Sequence, residues 1–301
     1  MNTILGIFLK VAATFVFALM SLVIKWLSNN FPVGQLVFFR SAFAMIPLLM
    51  WIAWTSELKD AFYTKNFKGH LMRSMAGVGG MFMSFGALHY LSLPDATAIT
   101  YVTPLLVTVL GALVLHETIR VWRWSAIGVG FVGVLIMLSP FLGHSGGPDL
   151  ALGAMIGLIG TVFSAFASIA VRKLAGTEKT GAIVFYFSLI TALAGLVTIG
   201  FGWIKPTPTE FALLVLAGFF GGIGQILHTA SLRFAPVSVI APFEYITLIW
   251  ASLFGYVVFG EVPAQAVIIG AIIVISAGLF IIWRERQLGI AERRARDAAH
   301  D

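Results

Sequence analysis

The sequence predicts an all-α membrane protein of ten transmembrane helices, arranged as two inverted five-helix repeats. Three observations lead to this fold class: the composition, ten apolar runs and an internal repeat. Of the 301 residues, 59% are apolar and 11% are charged, and a mean hydropathy of +0.97 is far above that of soluble domains. The net charge of +6 does not indicate a nucleic-acid partner, because the basic residues fall in predicted loops and in the tail.

Ten apolar runs are bounded by proline, glycine or charged residues. They cover residues 4–25, 33–54, 70–91, 95–115, 121–140, 151–171, 180–203, 209–231, 237–259 and 263–283. The hydrocarbon core of a bilayer is about 30 Å thick and needs roughly 20 apolar residues per helix, so each run can cross it once. The first run follows an amino end without a basic segment and has no cleavage site, and we interpret it as a permanent span.

The charges of the loops predict the orientation. If the amino terminus is cytoplasmic, all but four of the 19 Lys and Arg residues lie in inside segments. Only Lys25 and Lys205 then lie outside, while Lys10 and Arg40 fall within spans. Short cytoplasmic loops are enriched in Lys and Arg. The sequence therefore predicts a multi-pass protein of the bacterial inner membrane, surrounded by lipid, with both termini in the cytoplasm.

The chain matches itself at two closely similar shifts. A shift of 147 residues pairs Ser21 with Ser168, Lys25 with Arg172 and Phe38 with Phe185. A shift of 144 residues pairs Gly77 with Gly221, Tyr101 with Tyr245 and Glu117 with Glu261. We interpret residues 1–147 and 148–285 as two copies of a five-helix unit, and residues 286–301 as a basic cytoplasmic tail. Because five is odd, the copies lie upside down relative to each other, as in many secondary transporters.

A series of residues resembles a known family. The first copy carries Ala87-Leu88-His89-Tyr90, Ala98, Tyr101, Pro104-Leu105, Glu117, Gly128 and Gly133. The second copy repeats the series as Ala230, Leu232, Ala241-Pro242, Tyr245, Glu261 and Gly278. This pattern is similar to the EamA family of the drug/metabolite transporter superfamily over nearly the whole chain. It departs at Leu248, where the first copy has Pro104.

The resemblance implies a ten-helix bundle with cytoplasmic termini, a central cavity between the two copies and no bound cofactor. Two segments look most like bacterial transporters of riboflavin or S-adenosylmethionine. They are Gly6-Ile7-Phe8-Leu9-Lys10 and Gln35-Leu36-Val37-Phe38-Phe39-Arg40-Ser41. The resemblance therefore implies a small-molecule substrate of that kind and uptake as the direction.

The predicted function is that of a secondary transporter, which moves a small polar, zwitterionic or heteroaromatic metabolite by alternating access. One alternative is an exporter of amino acids or drugs from the same superfamily. An intramembrane enzyme using Glu244 and His228 is the alternative from a different class. The chain has no phosphate-binding loop, no His-Glu-x-x-His and no Gly-x-Ser-x-Gly motif, and it contains no cysteine. We therefore expect no enzyme, no catalytic residue, no metal site and no cofactor.

Arg40 and Glu244 are the two charged candidates for binding substrate. A charged side chain in mid-membrane costs at least about 2.5–3.5 kcal/mol on insertion scales, so each indicates a functional site. Their repeat partners, Phe187 and Thr100, are uncharged. Arg40 can bind a carboxylate, phosphate or ring carbonyl, and Glu244 can receive a cationic group or a coupling proton. The structural alternatives are snorkelling of Arg40, an Arg40–Glu244 ion pair, or a hydrogen bond from a tyrosine to Glu244.

Four uncharged candidates complete the predicted pocket. Gln225 and His228 lie three residues apart on one face of the eighth predicted helix, although a membrane histidine also serves as a hydrogen bond between helices. Tyr101 and Tyr245 occupy equivalent repeat positions and can stack on a flat substrate. A scaffold role for both tyrosines is the alternative, since the chain has 26 Phe, 8 Trp and 6 Tyr.

Other residues are expected to act structurally. Lys10 is predicted to snorkel to the cytoplasmic interface, and Pro104 and Pro242 to kink their helices. Glu117 and Glu261 are expected to cap or anchor the next helix. Three small-residue pairs predict close helix packing and also allow a homodimer: Ala76-x-x-x-Gly80, Gly153-x-x-x-Gly157 and Gly218-x-x-x-Gly222.

Overall fold

The computed structural model describes residues 3–54, 63–115, 121–142, 147–175, 177–235 and 240–297. The first half of this described chain forms six helices: α1 (Thr3–Leu27), α2 (Val33–Trp54), α3 (Phe67–Tyr90), α4 (Leu93–Thr100), α5 (Val102–Leu115) and α6 (Val121–Leu142). The second half forms five: α7 (Gly147–Ala175), α8 (Thr180–Val197), α9 (Pro208–Phe234), α10 (Ile246–Phe259) and α11 (Gln265–Asp297). Short 3₁₀ segments, Thr198–Phe201 and Ala241–Tyr245, follow α8 and precede α10.

Local sequence signals explain where several helices begin and end. Thr207 and Glu210 form a capping box before α9, which also has proline in its first turn, so orphan backbone N–H groups find acceptors. The Asn66 side chain accepts from the Gly69 backbone N–H at the start of α3. Helix α10 ends at Gly260, whose φ of 66° lies in the left-handed region that glycine adopts without steric cost.

Two of the predicted spans are broken at equivalent repeat positions. The fourth predicted span, 95–115, is divided into α4 and α5 at Tyr101, three residues before Pro104. The described part of the ninth predicted span begins with the 3₁₀ segment that contains Pro242 and becomes α-helical after Tyr245. Proline removes a backbone hydrogen bond and clashes with the preceding turn. The predicted distortion of both helices is thus present near both prolines.

Within the described ranges, nine stretches are long and apolar enough to cross a membrane. They match the predicted spans except for the third, 70–91. Helix α3 covers this third span and has 24 residues, which is sufficient length. Its polar residues, including His70, Arg73 and His89, lower its hydropathy below that of the other nine. The chain is therefore a multi-pass all-α membrane protein, and α3 is a span with several polar residues.

Large apolar side chains face outwards on most of the long helices. Leu135 of α6, Val257 of α10 and Ile272 of α11 are all more than half exposed. In water such a surface would drive aggregation, whereas lipid tails solvate it. The exposed apolar side chains therefore mark the surface that contacts the bilayer.

The most extensive helix contacts join the two halves of the chain. Helix α1 packs along α9, α3 along α7, α2 along α8 and α9, and α6 along α11. Glycines allow the closest approaches. A Cβ atom added at Gly218 would lie 2.8 Å from the Phe39 carbonyl oxygen, and one at Gly222 would lie 2.6 Å from the Ala44 carbonyl oxygen. The predicted packing role of this glycine pair is confirmed, and it brings α9 against α2.

Candidate functional site

A charged cluster joins the first helix to the second half of the chain. Lys10 of α1 is only 2% exposed, and its ammonium donates to the Glu244 carboxylate. The same ammonium lies 2.9 Å from Nδ1 of His228 on α9. An ammonium has donors only, so this ring nitrogen accepts. Burial of Lys10 is unfavourable by itself, and these two acceptors offset it.

Half of the Glu244 side chain, 50%, is exposed. We call the space beside this exposed half the opening. Glu244 precedes Tyr245 at the end of the 3₁₀ segment, where the irregular backbone leaves the helical path. A carboxylate in this position can exchange its internal partner for a group that enters from the opening.

The structure corrects two expectations about the charged residues. Lys10 does not snorkel to the interface, because it is buried and its ammonium is held by Glu244 and His228. The internal ion pair of Glu244 is formed with Lys10, and no such pair joins Glu244 to Arg40 in the described part of the chain. No local pattern indicates the Lys10 contact, since Lys10 and Glu244 are 234 positions apart.

Tyr101 and Tyr245 meet where the two broken helices cross. Their ring centroids are 5.1 Å apart in an edge-to-face arrangement. The Tyr101 hydroxyl donates to the Tyr245 backbone carbonyl over 3.2 Å, which satisfies an acceptor freed by the helix break. Tyr101 is 4% exposed, so in this conformation its ring packs the two halves together and offers no open face.

Arg40 lies in a separate buried position. It is 5% exposed, and its Nε atom has no hydrogen-bond partner. A Cβ atom added at Gly221 of α9 would lie 3.0 Å from this Nε and 3.1 Å from the Met20 sulfur. Glycine at position 221 therefore leaves the space that the guanidinium occupies between α1, α2 and α9.

Gln225 lies on α9 between the two charged positions. Residues 221, 225 and 228 follow the four- and three-residue spacing that places side chains on one helix face. Gln225 is half-buried, and its amide makes no hydrogen bond within the described chain. The face of α9 thus passes from Arg40, past Gln225, to the cluster of Lys10, His228 and Glu244, and these form two neighbouring groups along the helix. Tyr101 and Tyr245 pack against each other instead.

Sequence reasoning missed Lys10 and Arg73 as members of the polar interior. Arg73 was counted with the cytoplasmic basic residues, but it is 9% exposed inside the bundle and its guanidinium lies 3.6 Å above the Phe187 ring. One signal was available: Arg73 falls inside the third predicted span, and its repeat partner, Ala217, is apolar.

A small cavity of about 80 Å³ lies between α1, α3, α4 and α7. Its lining combines hydroxyl and apolar side chains: Ser21, Ser84, Phe85, Ala87, Leu88, Leu93, Ala96, Thr97, Thr100 and Gly157. None of the six predicted binding residues lines it. It also lacks a charged group, so we assign the candidate site to the two groups along α9. Within the described residues, no His, Asp and Glu cluster is arranged to hold a metal ion.

A second ion pair joins α1 to the segment between α10 and α11 at the start of α4. Lys25 donates to the backbone carbonyls of Leu88 and Leu91 and lies 3.5 Å from Glu261. Glu261 accepts from the Leu93 backbone N–H over 2.7 Å. Glu261 caps a helix as predicted, but this helix is α4 of the other half and not the next helix in the chain. Glu117, its repeat partner, lies outside the described residues.

Comparison with known proteins follows the same division of the chain. The model of the EamA-like transporter family matches twice, at residues 4–139 and at residues 151–283. These two matches together include both groups of candidate residues.

Curated relatives match along most of their length. Pseudopaline exporter CntI of Pseudomonas aeruginosa is 31% identical over 279 residues, which cover 90% of this chain and 94% of that protein. The S-adenosylmethionine uptake transporter of Rickettsia prowazekii is 27% identical and covers 87% of each chain. The riboflavin transporter of Vibrio cholerae is 27% identical and covers 96% of each. These names share transport and differ in solute and direction.

A solved crystal structure has the same fold. It superposes with a TM-score of 0.65 over 95% of this chain and 98% of its own length, at 18% sequence identity. At this identity the likeness concerns the fold alone.

Proposed function

This chain belongs to the EamA-like transporter family, and from that premise we propose that it is a secondary transporter for a small polar, zwitterionic or heteroaromatic metabolite. It works by alternating access in the inner membrane, with both termini in the cytoplasm. Transport is the activity of the family and of the curated relatives. The solute, its direction and the residues that bind it are the proposed part.

The observation that carries the proposal is the cluster of Lys10, His228 and Glu244. Its charges come from both halves of the chain and meet inside the bundle, while half of the Glu244 side chain remains open. A purely structural ion pair would be expected to close off both partners. An open carboxylate beside a buried ammonium can instead bind a cationic or hydrogen-bonding group of a solute while Lys10 moves aside.

The inverted arrangement of two five-helix copies supplies the conformational change. The self-match of the sequence equates α1 with α7 and α3 with α9. The packed pair α1–α9 therefore corresponds to the packed pair α7–α3, and both pairs are among the most extensive helix contacts. Two equivalent half-structures can exchange shapes, so the same site opens first to one side of the membrane and then to the other.

The residues along α9 suit a solute with both kinds of polar group. Glu244 accepts hydrogens, Arg40 donates them, and Gln225 does both. Tyr245, partly exposed beside Glu244, provides an aromatic edge. S-Adenosylmethionine and riboflavin, which the names of two relatives mention, have such mixed chemistry. The exporter relative makes outward transport the second candidate direction.

Transport assays in vesicles of both orientations test the proposal. Labelled S-adenosylmethionine, riboflavin and amino acids are offered to inside-out and right-side-out vesicles that contain the wild type, Arg40→Ala, Glu244→Gln or Lys205→Gln. Lys205 is an exposed residue of the loop between α8 and α9 and serves as the control. We expect saturable transport of one solute, at least tenfold slower in the Arg40 and Glu244 variants and unchanged in the control.

Equal protein abundance in each vesicle preparation is confirmed before the rates are compared. Wild-type rates in both site variants would overturn the assigned site and leave the transport function intact. Transport in inside-out vesicles alone would identify an exporter.

A further inference from the structure

Two arginines of the first half are buried on helices that pack against each other, Arg40 on α2 and Arg73 on α3. Arg40 is 5% exposed and Arg73 is 9% exposed, and the charge of Arg40 acts on Arg73. Their repeat partners are Phe187 and Ala217. The duplicated scaffold therefore does not require either charge.

Neither guanidinium has a counter-charge within the described residues. The Nε atom of Arg40 and the Nε and Nη1 atoms of Arg73 are buried without a hydrogen-bond partner. The ion pairs in this part of the chain join Lys10 to Glu244, Lys25 to Glu261 and His70 to Glu178, so these carboxylates are engaged elsewhere. Two neighbouring buried cations without an anion are strongly unfavourable.

Two buried hydroxyl groups on α3 and α8, the helices of Arg73 and Phe187, also lack a hydrogen-bond partner. Ser74 and Thr191 are fully buried, and their hydroxyl oxygens have no partner. Ser74 lies four residues after His70, which contacts Tyr186 of α8, and Thr191 lies four residues after Phe187. This spacing places both hydroxyls on the facing sides of α3 and α8. Each of these unpartnered groups can donate to an oxygen of an anion.

The packing holds both guanidiniums in place against their neighbours. Arg73 stacks 3.6 Å above the Phe187 ring, an arrangement that leaves the N–H groups at the edge of the guanidinium plane available. A Cβ atom added at Gly77 would lie 3.3 Å from Nη1 of Arg73, and one at Gly221 would lie 3.0 Å from Nε of Arg40. Glycine at both positions therefore leaves the space that each guanidinium occupies.

We propose that Arg40 and Arg73 form an anion subsite of the transport pathway, which takes a carboxylate or phosphate group of the solute. The inference rests on the proposed function and narrows it to solutes with a negatively charged group. A planar guanidinium binds such groups through paired hydrogen bonds. On α9, Gly221 beside Arg40 and His228 beside Lys10 are seven residues apart, about 10 Å along the axis. The solute would present a donor group to Glu244 at about that distance from its anionic group.

Thermal unfolding of the purified full-length protein tests the subsite without a known solute. The melting temperature is measured at constant ionic strength with sodium acetate, inorganic phosphate or acetamide, which is the uncharged counterpart of acetate. We expect acetate or phosphate to raise it and acetamide to leave it unchanged. The acetate or phosphate concentration that gives a set rise in melting temperature should increase about tenfold or more in Arg40→Met and in Arg73→Met, since each loses a charge-assisted contact. It should be unchanged in Lys205→Met.

The same variants without added acetate or phosphate separate a subsite from an internal ion pair. If the arginines have no counter-charge, replacing either with methionine leaves the melting temperature equal or higher. A pronounced fall would indicate a carboxylate partner within the chain and would overturn the proposal. An anion effect that is absent from the wild type, or persists in the double variant, would overturn it as well.

The transport assay distinguishes the failure of the subsite from the failure of the proposed function. Transport of a solute that has no anionic group, at wild-type rate in Arg73→Met, would remove the subsite and keep the transporter. Arginine-dependent stabilisation by acetate or phosphate without transport of any solute would remove the transporter and keep the subsite.

Discussion

At the scale of single residues, the interior of the bundle contains charges with two different kinds of surroundings. Lys10 has two acceptors, Glu244 and His228, whereas Arg40 and Arg73 have none among the described residues. A buried charge with a partner stabilises one packing of the helices, and a buried charge without one gains stability from a ligand. Under the proposed function, the first kind of surroundings joins the two halves beside the half-exposed Glu244, and the second can bind an anionic group of the solute.

Exchange of the two charges in the Lys10–Glu244 pair separates its structural from its functional role. We expect Lys10→Met and Glu244→Gln each to lower the free energy of unfolding by about 1–3 kcal/mol, at the low end of values for buried pairs because Glu244 is half exposed. The exchange Lys10→Glu with Glu244→Lys should recover most of this stability. Transport should stay lost, because the carboxylate no longer lies at the opening.

Thermal unfolding and transport are measured on the same preparations of these variants. Recovery of both stability and transport in the exchanged variant would contradict the assigned role of Glu244, since it would show that only the pairing of the two charges matters.

At the scale of elements, glycines and a capping carboxylate determine how the helices meet. Gly218 and Gly222 allow α9 to approach the backbone of α2. At the end where α3 begins, Glu178 accepts from the Thr64 hydroxyl and from the backbone N–H groups of Lys65 and Asn66. It thereby ties the connection between α7 and α8 to the start of α3.

Alanine at a packed glycine tests the close approach of α9 and α2. Gly218→Ala should lower the free energy of unfolding by about 1–3 kcal/mol through overpacking, since the added Cβ atom would lie 2.8 Å from the Phe39 carbonyl oxygen. Gly128 is the matched control: it lies within α6 and has nothing within 4 Å of an added Cβ atom. Gly128→Ala should leave stability equal or slightly higher. Equal melting temperatures for both variants would contradict this packing.

The capping role of Glu178 predicts a pH-dependent part of the stability. Burial alone would raise the pKa of Glu178, but hydrogen bonds from Thr64, His70 and the Lys65 backbone lower that pKa below its ordinary value of 4.5. A carboxyl group with a lowered folded-state pKa stabilises the protein fully above its unfolded pKa, and this stability is lost as the pH falls through the folded pKa.

Thermal unfolding of the wild type and of Glu178→Gln across pH 3.5–6 checks this contribution. The wild type should be more stable by about 1–2 kcal/mol above the ordinary pKa. The difference should shrink as the pH is lowered further. A difference that is constant over the whole range would show that the charge of Glu178 contributes nothing.

At the scale of the whole molecule, the contacts between the halves follow the internal repeat of the sequence. The charged cluster, the tyrosine pair and the pair of Lys25 with Glu261 all join one half to the other. Under the proposed alternating access, opening on either side of the membrane breaks contacts between the halves, while the packing within each half can persist.

Single cysteines test the inverted arrangement, because the chain contains no cysteine of its own. Asn30 and Thr177 are exposed residues that correspond under the shift of 147. In spheroplasts, a membrane-impermeant maleimide should label Asn30→Cys directly and Thr177→Cys only after permeabilisation. Lys205→Cys should likewise be labelled directly, and Lys65→Cys only after permeabilisation. Labelling of both equivalent positions from one side would contradict the inverted repeat.

The sequence by itself determined the class of this protein and most of its elements. A bilayer accepts only long apolar helices, so composition and run length predicted helices that nine described stretches confirm, and the series around Tyr101 and Tyr245 identified the family. Single residues were less predictable. Arg40, Gln225, His228 and Glu244 were found as polar residues in apolar runs, but their partners were not.

Only the tertiary structure decided which polar groups meet. Helix formation depends on neighbours within about four residues, and a local pattern can therefore reveal it. The partner of a buried charge depends instead on which helices pack together and how far a side chain reaches. For this reason Lys10 was found beside Glu244, 234 positions away, and Arg73 lies over Phe187 inside the bundle. The cost of burying charge makes such pairings specific, and it acts only once the helices are assembled.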